Sequence, residues 1–402
     1  MFFLTAFVTA GFKWLVLGDQ AIFSELMNAM FSLSKTAFDI SLGLSGILAL
    51  WLGIMKVGEH SGFIDLLTRA LNPLFARLMP EIPKNHPALG AMVMNIAANM
   101  LGLDNAATPM GIKAMQEMQK LNPNPSQASN PQILFLVINT SSVTLFPVTI
   151  FAYRAQLGAA NPTDVFIPIL IATYVSTLTG LLAVAAVQKI NLLDKVVLAY
   201  LGGITALVGG LLAYFSGLDQ AEMLKQSALI SHVTLFSLVI AFIGSAAYKR
   251  LNAYELFIQG AKQGFQTAIS IIPYLVAMLV AFGVFRASGA LDLITQGLRW
   301  LVDLLQIDNR FIDGLPTALM KPFSGSGARA MMIDTLQSHG ADSFAGRLAS
   351  VVQGSTETTF YVLAVYFGAV GISNIRHAAS CGIMADLGGI GAAIFVTYWF
   401  FG

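Results

Sequence analysis

Long apolar runs recur along this chain, and four of them are interrupted by tight clusters of polar residues. Uninterrupted runs at about 164–187, 196–215 and 227–247 are each long enough to cross the ~30 Å hydrocarbon core of a bilayer as a helix. The N-terminal run predicts a first short span over about 1–17. It has no basic start and no small-x-small cleavage site, so it reads as a retained helix and not a removed signal peptide. Residues 19–35 form an amphipathic lead-in to a span ending near Val57. Residues 61–78 set Asp65, Thr68, Arg69, Asn72 and Arg77 among leucines, which suits a helix lying in the membrane interface. Two interrupted segments follow. Residues 87–118 break at GLDNAATPMG (102–111), and residues 132–157 break at INTSSVTLFP (138–147).

The order then recurs. A span over 262–285 leads into SGALDLITQGLRWLVDLL (288–305), the counterpart of 61–78. Aligned from Lys35 on Lys262, roughly 13 of about 44 positions are identical, among them Ser61/Ser288, Asp65/Asp292 and Thr68/Thr295. KPFSGSGARA (321–330) answers the first break, and VQGSTETTF (352–360) answers the second, with Ser141/Ser355, Thr144/Thr358 and Phe146/Phe360 in register. A last span over about 377–401 matches 164–187. Each half therefore reads span, interfacial helix, re-entrant hairpin, broken helix, span. With a hairpin that enters and leaves on one side, each half crosses three times and the two linker spans cross twice. The second half then begins on the opposite face. The expected fold is an all-α polytopic membrane protein of two inverted repeats, residues 1–215 and 227–402. Lys56, Arg69, Arg77, Lys84, Lys120, Lys189, Lys195, Lys249 and Arg250 fall on one face; Arg154, Lys225, Arg286, Arg299 and Arg310 fall on the other. The richer face is expected to be cytoplasmic, with the first hairpin opening there and the second from outside.

Composition narrows the function. Of 402 residues 56% are hydrophobic and 11% charged, less than half the charged share of a soluble domain. A net charge of +1 gives no reason to expect a nucleic acid partner. The single cysteine, Cys381, excludes an intrachain disulfide framework and a thiolate metal cluster. His60, His86, His232, His339 and His377 lack ligand spacing, so no metal site is expected. There is no GxSxG or HExxH, and neither an enzyme nor a cofactor is predicted.

The four breaks carry the candidate chemistry. Gly and Pro permit unwinding at membrane depth, which is tolerated only where backbone is buried in protein or lines a wet cavity. Freed N–H and C=O groups and nearby hydroxyls then become ligands, and half-helix N-termini favour anions. A lone hydroxyl in a membrane helix ordinarily bonds back to its own carbonyls. Four clusters in register across a repeat point instead to one solute site near the midplane. Gly325 and Gly327 also read as close-packing residues; no phosphate-loop context surrounds them. Glu357, between Thr356 and Thr358, is costly as an isolated ion in this setting. It serves solute binding, proton coupling or a cation site, or it pairs structurally with Arg329 or Lys321. Arg329 either binds a carboxylate solute bidentately or locks the hairpin. Asp104 and Thr108 share a helical face at i, i+4. With Asn105 they line the site, or Asp104 caps the restarting helix, or Lys113 simply pairs with Asp104. Asp104 and Glu357 are the ion-coupling candidates, and Asp386 is a further isolated carboxylate.

LSGILALWLGIMKVGEHSG and ANMLGLDNAATPMGIKAM resemble spore maturation protein A. AISIIPYLVAMLVAFGVFRASGALD, KPFSGSGARAMM and VVQGSTETTFYVLAVYFGAVGI resemble spore maturation protein B. Together they cover nearly the whole chain, which reads as a fused A–B protein joined between about 215 and 227. That family belongs to the nucleoside-recognition, or Gate, group, to which concentrative nucleoside transporters and the membrane part of ferrous iron transporters are similar. The resemblance implies that hairpin tips and unwound centres hold the solute. It carries to Asn105 and Thr108, to Asn139, Thr140, Ser141, Ser142 and Thr144, to Ser324 and Ser326, and to Gln353, Ser355, Thr356, Glu357 and Thr358. Nucleoside carriers of this type place acids in both broken helices to hold ribose; here only the second has one. The expectation is a secondary transporter in a bacterial inner membrane, taking a nucleoside, an amino acid or a small carboxylate by alternating access, with Na⁺ or H⁺ as coupling ion. The rival readings are a non-transporting scaffold or receptor in envelope or cell-wall maturation, and a passive channel. Carriers similar in fold form trimers, so a homo-oligomer is compatible with the resemblance, although the chain itself gives no sign of one.

Overall fold

A computed structural model describes residues 1–83, 86–101, 104–142 and 144–402, with the side chains of 104–106 left aside. The described residues are helical and contain no β-strand. Among the described residues six helices are long and apolar enough to cross a membrane: α2 (Ile22–His60), α8 (Phe166–Gln188), α9 (Lys195–Ser216), α10 (Gln220–Tyr248), α11 (Ala253–Ala287) and α17 (Ala378–Phe401). The chain is thus an all-α, multi-pass membrane protein.

One expected span needs correction. The helix α1 (Phe2–Leu17) has 16 residues, about 24 Å at 1.5 Å per residue and short of a bilayer core. Phe2 packs on Phe282 and Phe285, and the Lys13 ammonium stands over Gly289. Both ends of α1 meet the same end of α11, so it lies across that end. The amphipathic lead-in, from Ile22 onward, runs without a break into the span expected after it, as one 39-residue helix, α2. Nothing in that stretch breaks a helix, and α11 packs along it.

The long helices pack as antiparallel pairs. In α2 and α11, Gly283 meets Leu33, Gly264 meets Leu48 and Ala49, and Gly260 meets Leu52 and Lys56. A Cβ at Gly260 would fall 2.2 Å from the Leu52 carbonyl oxygen, so the backbones approach this closely only because the side chain is absent. In α8 and α17, the Ser176 hydroxyl donates to the Ala385 carbonyl at 2.9 Å, Gly388 lies against Thr179, and the Gln188 side chain contacts His377 at 3.0 Å.

Shorter elements fill the space between these pairs. α3 (Phe63–Leu78) and α12 (Ala290–Leu304) are the two amphipathic helices. α4 (Pro87–Met100) and α5 (Asp104–Lys120) form one helical hairpin; α13 (Leu315–Met320) and α14 (Gly325–His339), entered through the short turn Arg310–Gly314, form another. α6 (Asn130–Ser141) and α7 (Val148–Gln156) are the arms of one broken helix, α15 (Phe344–Ser355) and α16 (Thr359–Gly368) those of the other. Each hairpin is tied to the broken helix that follows it. Leu145 N–H donates to the Met100 carbonyl at 2.9 Å, and Phe360 N–H to the Pro322 carbonyl at 3.0 Å.

Two loop clasps close the ends. At one, the segment after α16 meets the segment after α5: Ala128 N–H donates to the Asn374 carbonyl at 2.9 Å and Asn374 N–H to the Ser126 carbonyl at 2.9 Å. Arg376 adds bonds to the Ala128 carbonyl and the Asn130 side chain, both at 3.0 Å. At the other, Arg154, at the end of α7 and 0% exposed, donates to the Ala341 carbonyl at 2.7 Å, to Asp164 at 2.8 Å and to Asp342 at 3.2 Å. Arg347 donates to the second Asp164 oxygen at 2.8 Å. Each clasp joins the hairpin of one half to the broken helix of the other.

Candidate functional site

Both helix breaks have visible local causes. After α6, Ser142 takes a left-handed conformation (φ 45), which ends the helix. Pro147 then starts the next arm, where its missing N–H costs nothing. The Thr173 hydroxyl of α8 donates to the Ser142 carbonyl, satisfying a group the helix no longer holds. In the second break Thr356 is extended (φ −144, ψ 170). Glu357 N–H donates to the Thr140 carbonyl at 2.7 Å, so each half lends the other a backbone partner.

Two cavities meet at the second break. The larger, about 540 Å³, takes Asn99, Thr108 and Asn139 from the first half and Ser324, Ser326, Thr358 and Tyr361 from the second. The smaller, about 100 Å³, takes Trp51 and Met55 of α2, Ser142 and Thr144, and Lys321, Gln353 and Thr356. Gly325, Arg329 and Glu357 line both. Thr356 faces one cavity and Thr358 the other, as successive positions of extended backbone do, so the three-residue break is a partition with Glu357 at its centre.

Most of the expected residues thus stand around one space, but three do not line it. Ser141 and Ser355 turn their hydroxyls back to the Ile138 and Val352 carbonyls at 3.0 and 2.9 Å, and Thr140 offers its carbonyl to Glu357. The side chains of Asp104 and Asn105, like residue Lys84, lie outside the described residues. The alternative ion pair of Glu357 is not formed: among the described residues no cation lies within 4 Å of its carboxylate. Lys321 Nζ instead donates to the Gln353 carbonyl at 2.8 Å, and the Arg329 guanidinium stands beside the Tyr153 hydroxyl. Lys113 is exposed.

Several polar partners were not expected. Asn99 donates to Asn139 Oδ1 at 2.9 Å, presenting the two amides to the larger cavity as one unit. Asn95, buried, donates to the Ala107 carbonyl across the hairpin at 2.8 Å and contacts the Tyr366 hydroxyl at 3.2 Å. Two asparagines four apart in an apolar run were a usable signal, because they share a helical face. Tyr274 and Tyr366 also line the larger cavity, but nothing local distinguishes them from lipid-facing aromatics. Asp386 lies behind the break, 1% exposed, and accepts from the Thr359 hydroxyl at 2.6 Å.

Comparison with known proteins places this architecture. The chain matches the Gate family, described as nucleoside recognition, over residues 41–159 and 268–373, more than half its length. It is 46% identical over 152 residues to spore maturation protein A of Bacillus subtilis (strain 168), covering 38% of this chain and 78% of that protein. It is 46% identical over 177 residues to spore maturation protein B of the same organism, covering 43% of this chain and 98% of that protein. No solved structure matches the chain. With a helical membrane architecture, a family match in two segments and both relatives at this identity, the chain belongs to the Gate nucleoside-recognition family, among the spore maturation proteins.

Proposed function

We propose that this chain is a secondary transporter of a small polar solute in the bacterial inner membrane, built as two inverted repeats, 1–215 and 227–402, and working by alternating access. The observation that carries the reading is the pair of cavities separated by one short break and sharing Gly325, Arg329 and Glu357. A site reached from one cavity at a time needs such a thin, movable partition. The antiparallel pairing of α2 with α11 and of α8 with α17, and the two clasps at opposite ends, support the inversion. A volume of about 540 Å³ falls within the usual range of small-molecule sites. Arg329 and Glu357 offer one positive and one negative group, and the Asn99–Asn139 pair and the hydroxyls offer neutral ones. That set suits a nucleoside, an amino acid or a small carboxylate, with Na⁺ or H⁺ as coupling ion.

Uptake of labelled uridine, glutamate and succinate into proteoliposomes, with and without imposed Na⁺ and H⁺ gradients, tests the reading. One of these probes should enter saturably. Arg329→Ala and Glu357→Gln should each weaken its apparent affinity by about 10- to 100-fold, the loss of one charged hydrogen bond. Entry of all three at the rate of empty liposomes would sink transport of these solute classes.

A further inference from the structure

We infer that Asp386 is the proton-carrying carboxyl of this protein, and that its proton couples the second helix break to an H⁺ gradient; the coupling rests on the transport reading above. Asp386 sits in α17, an apolar helix, and is 1% exposed. Its Oδ2 accepts from the Thr359 hydroxyl at 2.6 Å. Its Oδ1 has no hydrogen-bond partner among the described residues, and neither has the hydroxyl of Thr356, which stands beside the same carboxyl. No described cation pairs with the acid within 4 Å. An ionised carboxylate so placed is very costly.

A proton on Oδ1 removes the buried charge, which the Thr356 hydroxyl, able to donate its own hydrogen to the acid, cannot do. That proton also supplies a donor, and Thr356 Oγ1 is the acceptor it meets. A sodium ion fits less well, because a hard cation needs a shell of several oxygens and one oxygen of Asp386 already holds the Thr359 hydroxyl. The charged groups that face Asp386 are Lys321, from the hairpin, and Glu357, from the break. The helices α6 and α8, packed against α17, bring no charged side chain to it.

The position explains the coupling. Asp386 stands behind the partition, beside Thr356 at its start and bonded to Thr359 just past its end. Thr356 also lines the smaller cavity, which leaves one residue between the buried acid and that space. In the proposed cycle a proton arriving by that route forms an O–H bond at Oδ1 and anchors Thr356. When the proton returns to water, the O–H bond breaks, the carboxylate regains its charge, and the Thr356 hydroxyl must turn from acceptor to donor.

Infrared difference spectroscopy on the full chain in lipid, wild type against Asp386→Asn, tests the assignment without any solute. The wild type should show the carbonyl stretch of a protonated acid near neutral pH, sensitive to deuteration, absent from Asp386→Asn and displaced in Thr356→Val. A carboxylate band only, or one that answers to Na⁺ and not to pH, would overturn it. In liposomes, uridine uptake by Asp386→Asn should no longer respond to a proton gradient. A protonated Asp386 in a chain that carries no probe would sink the transport reading alone. A chain that carries uridine with Asp386 ionised throughout would sink this inference alone.

Discussion

Arg154 is the largest fully buried side chain among the described residues, and its guanidinium holds two loops, one through Asp164 and the other through Asp342 and the Ala341 carbonyl. Removing one partner of a buried ion pair ordinarily costs about 3–5 kcal/mol. Asp164 keeps Arg347, so Arg154→Met should fall at the lower end, about 3 kcal/mol. In detergent this appears as a lower melting midpoint, with Arg154→Lys recovering part of it. An unchanged midpoint for Arg154→Met would refute the role. At this scale the sequence revealed chemistry better than partnership. Glu357 and Arg329 stand out as charges in apolar surroundings, and both reach the cavities. That the acid between two threonines does not pair with the nearby base depends on backbone directions no residue pattern encodes. Asp386 was visible as an isolated carboxylate, but Thr359, its donor, lies 27 positions away, and only the packing of α17 on the second break brings them together.

The hairpins are the elements on which the site depends. Gly111 of α5 packs on Tyr366 of α16, and a Cβ there would fall 2.4 Å from the tyrosine hydroxyl. Gly111→Val should therefore push the hairpin away from the second broken helix, cost about 1–3 kcal/mol and lower solute uptake. Gly90→Ala, in α4 with nothing within 4 Å of its Cβ, should leave the melting midpoint within about 0.5 kcal/mol of wild type. Equal effects from the two would show that the contact carries no weight. Helix positions were largely legible, because apolar length and Gly/Pro-rich interruptions act locally. One failure has a physical reason. Hydropathy reports that α1 is greasy, not that 16 residues stop short of a bilayer core. Amphipathicity over 19–35 records the partner α11 laid along α2, and a change of neighbours does not end a helix.

The proposed inverted arrangement makes a prediction for the whole molecule. The loop before α6 and the end of α14 should face opposite sides of the membrane, with the Lys/Arg-rich end inside. Asn124 and His339 are exposed, and Cys381 is the only cysteine and is buried. In a Cys381→Ala background, a membrane-impermeant maleimide on intact cells should label His339→Cys and spare Asn124→Cys until the membrane is opened. Labelling both from outside would refute the inversion; the reverse pattern would refute only the orientation. The repeat was legible because roughly a third of the aligned positions stayed identical. The interlocking was not, since contacts between halves leave no periodic trace.

The two clasps have a consequence for how the molecule is held together. Each half keeps its own hairpin and broken helix joined by a backbone bond, Leu145 to Met100 or Phe360 to Pro322, yet spends its end loops and its longest helix on the other half, and the first half also lends its Thr140 carbonyl. Neither half is a closed body, and the chain is in effect a heterodimer carried on one polypeptide. The short loop between α9 and α10 then acts as a tether. It fixes the ratio of the two halves at one to one, and it turns their meeting from a second-order encounter into an intramolecular docking at high effective concentration.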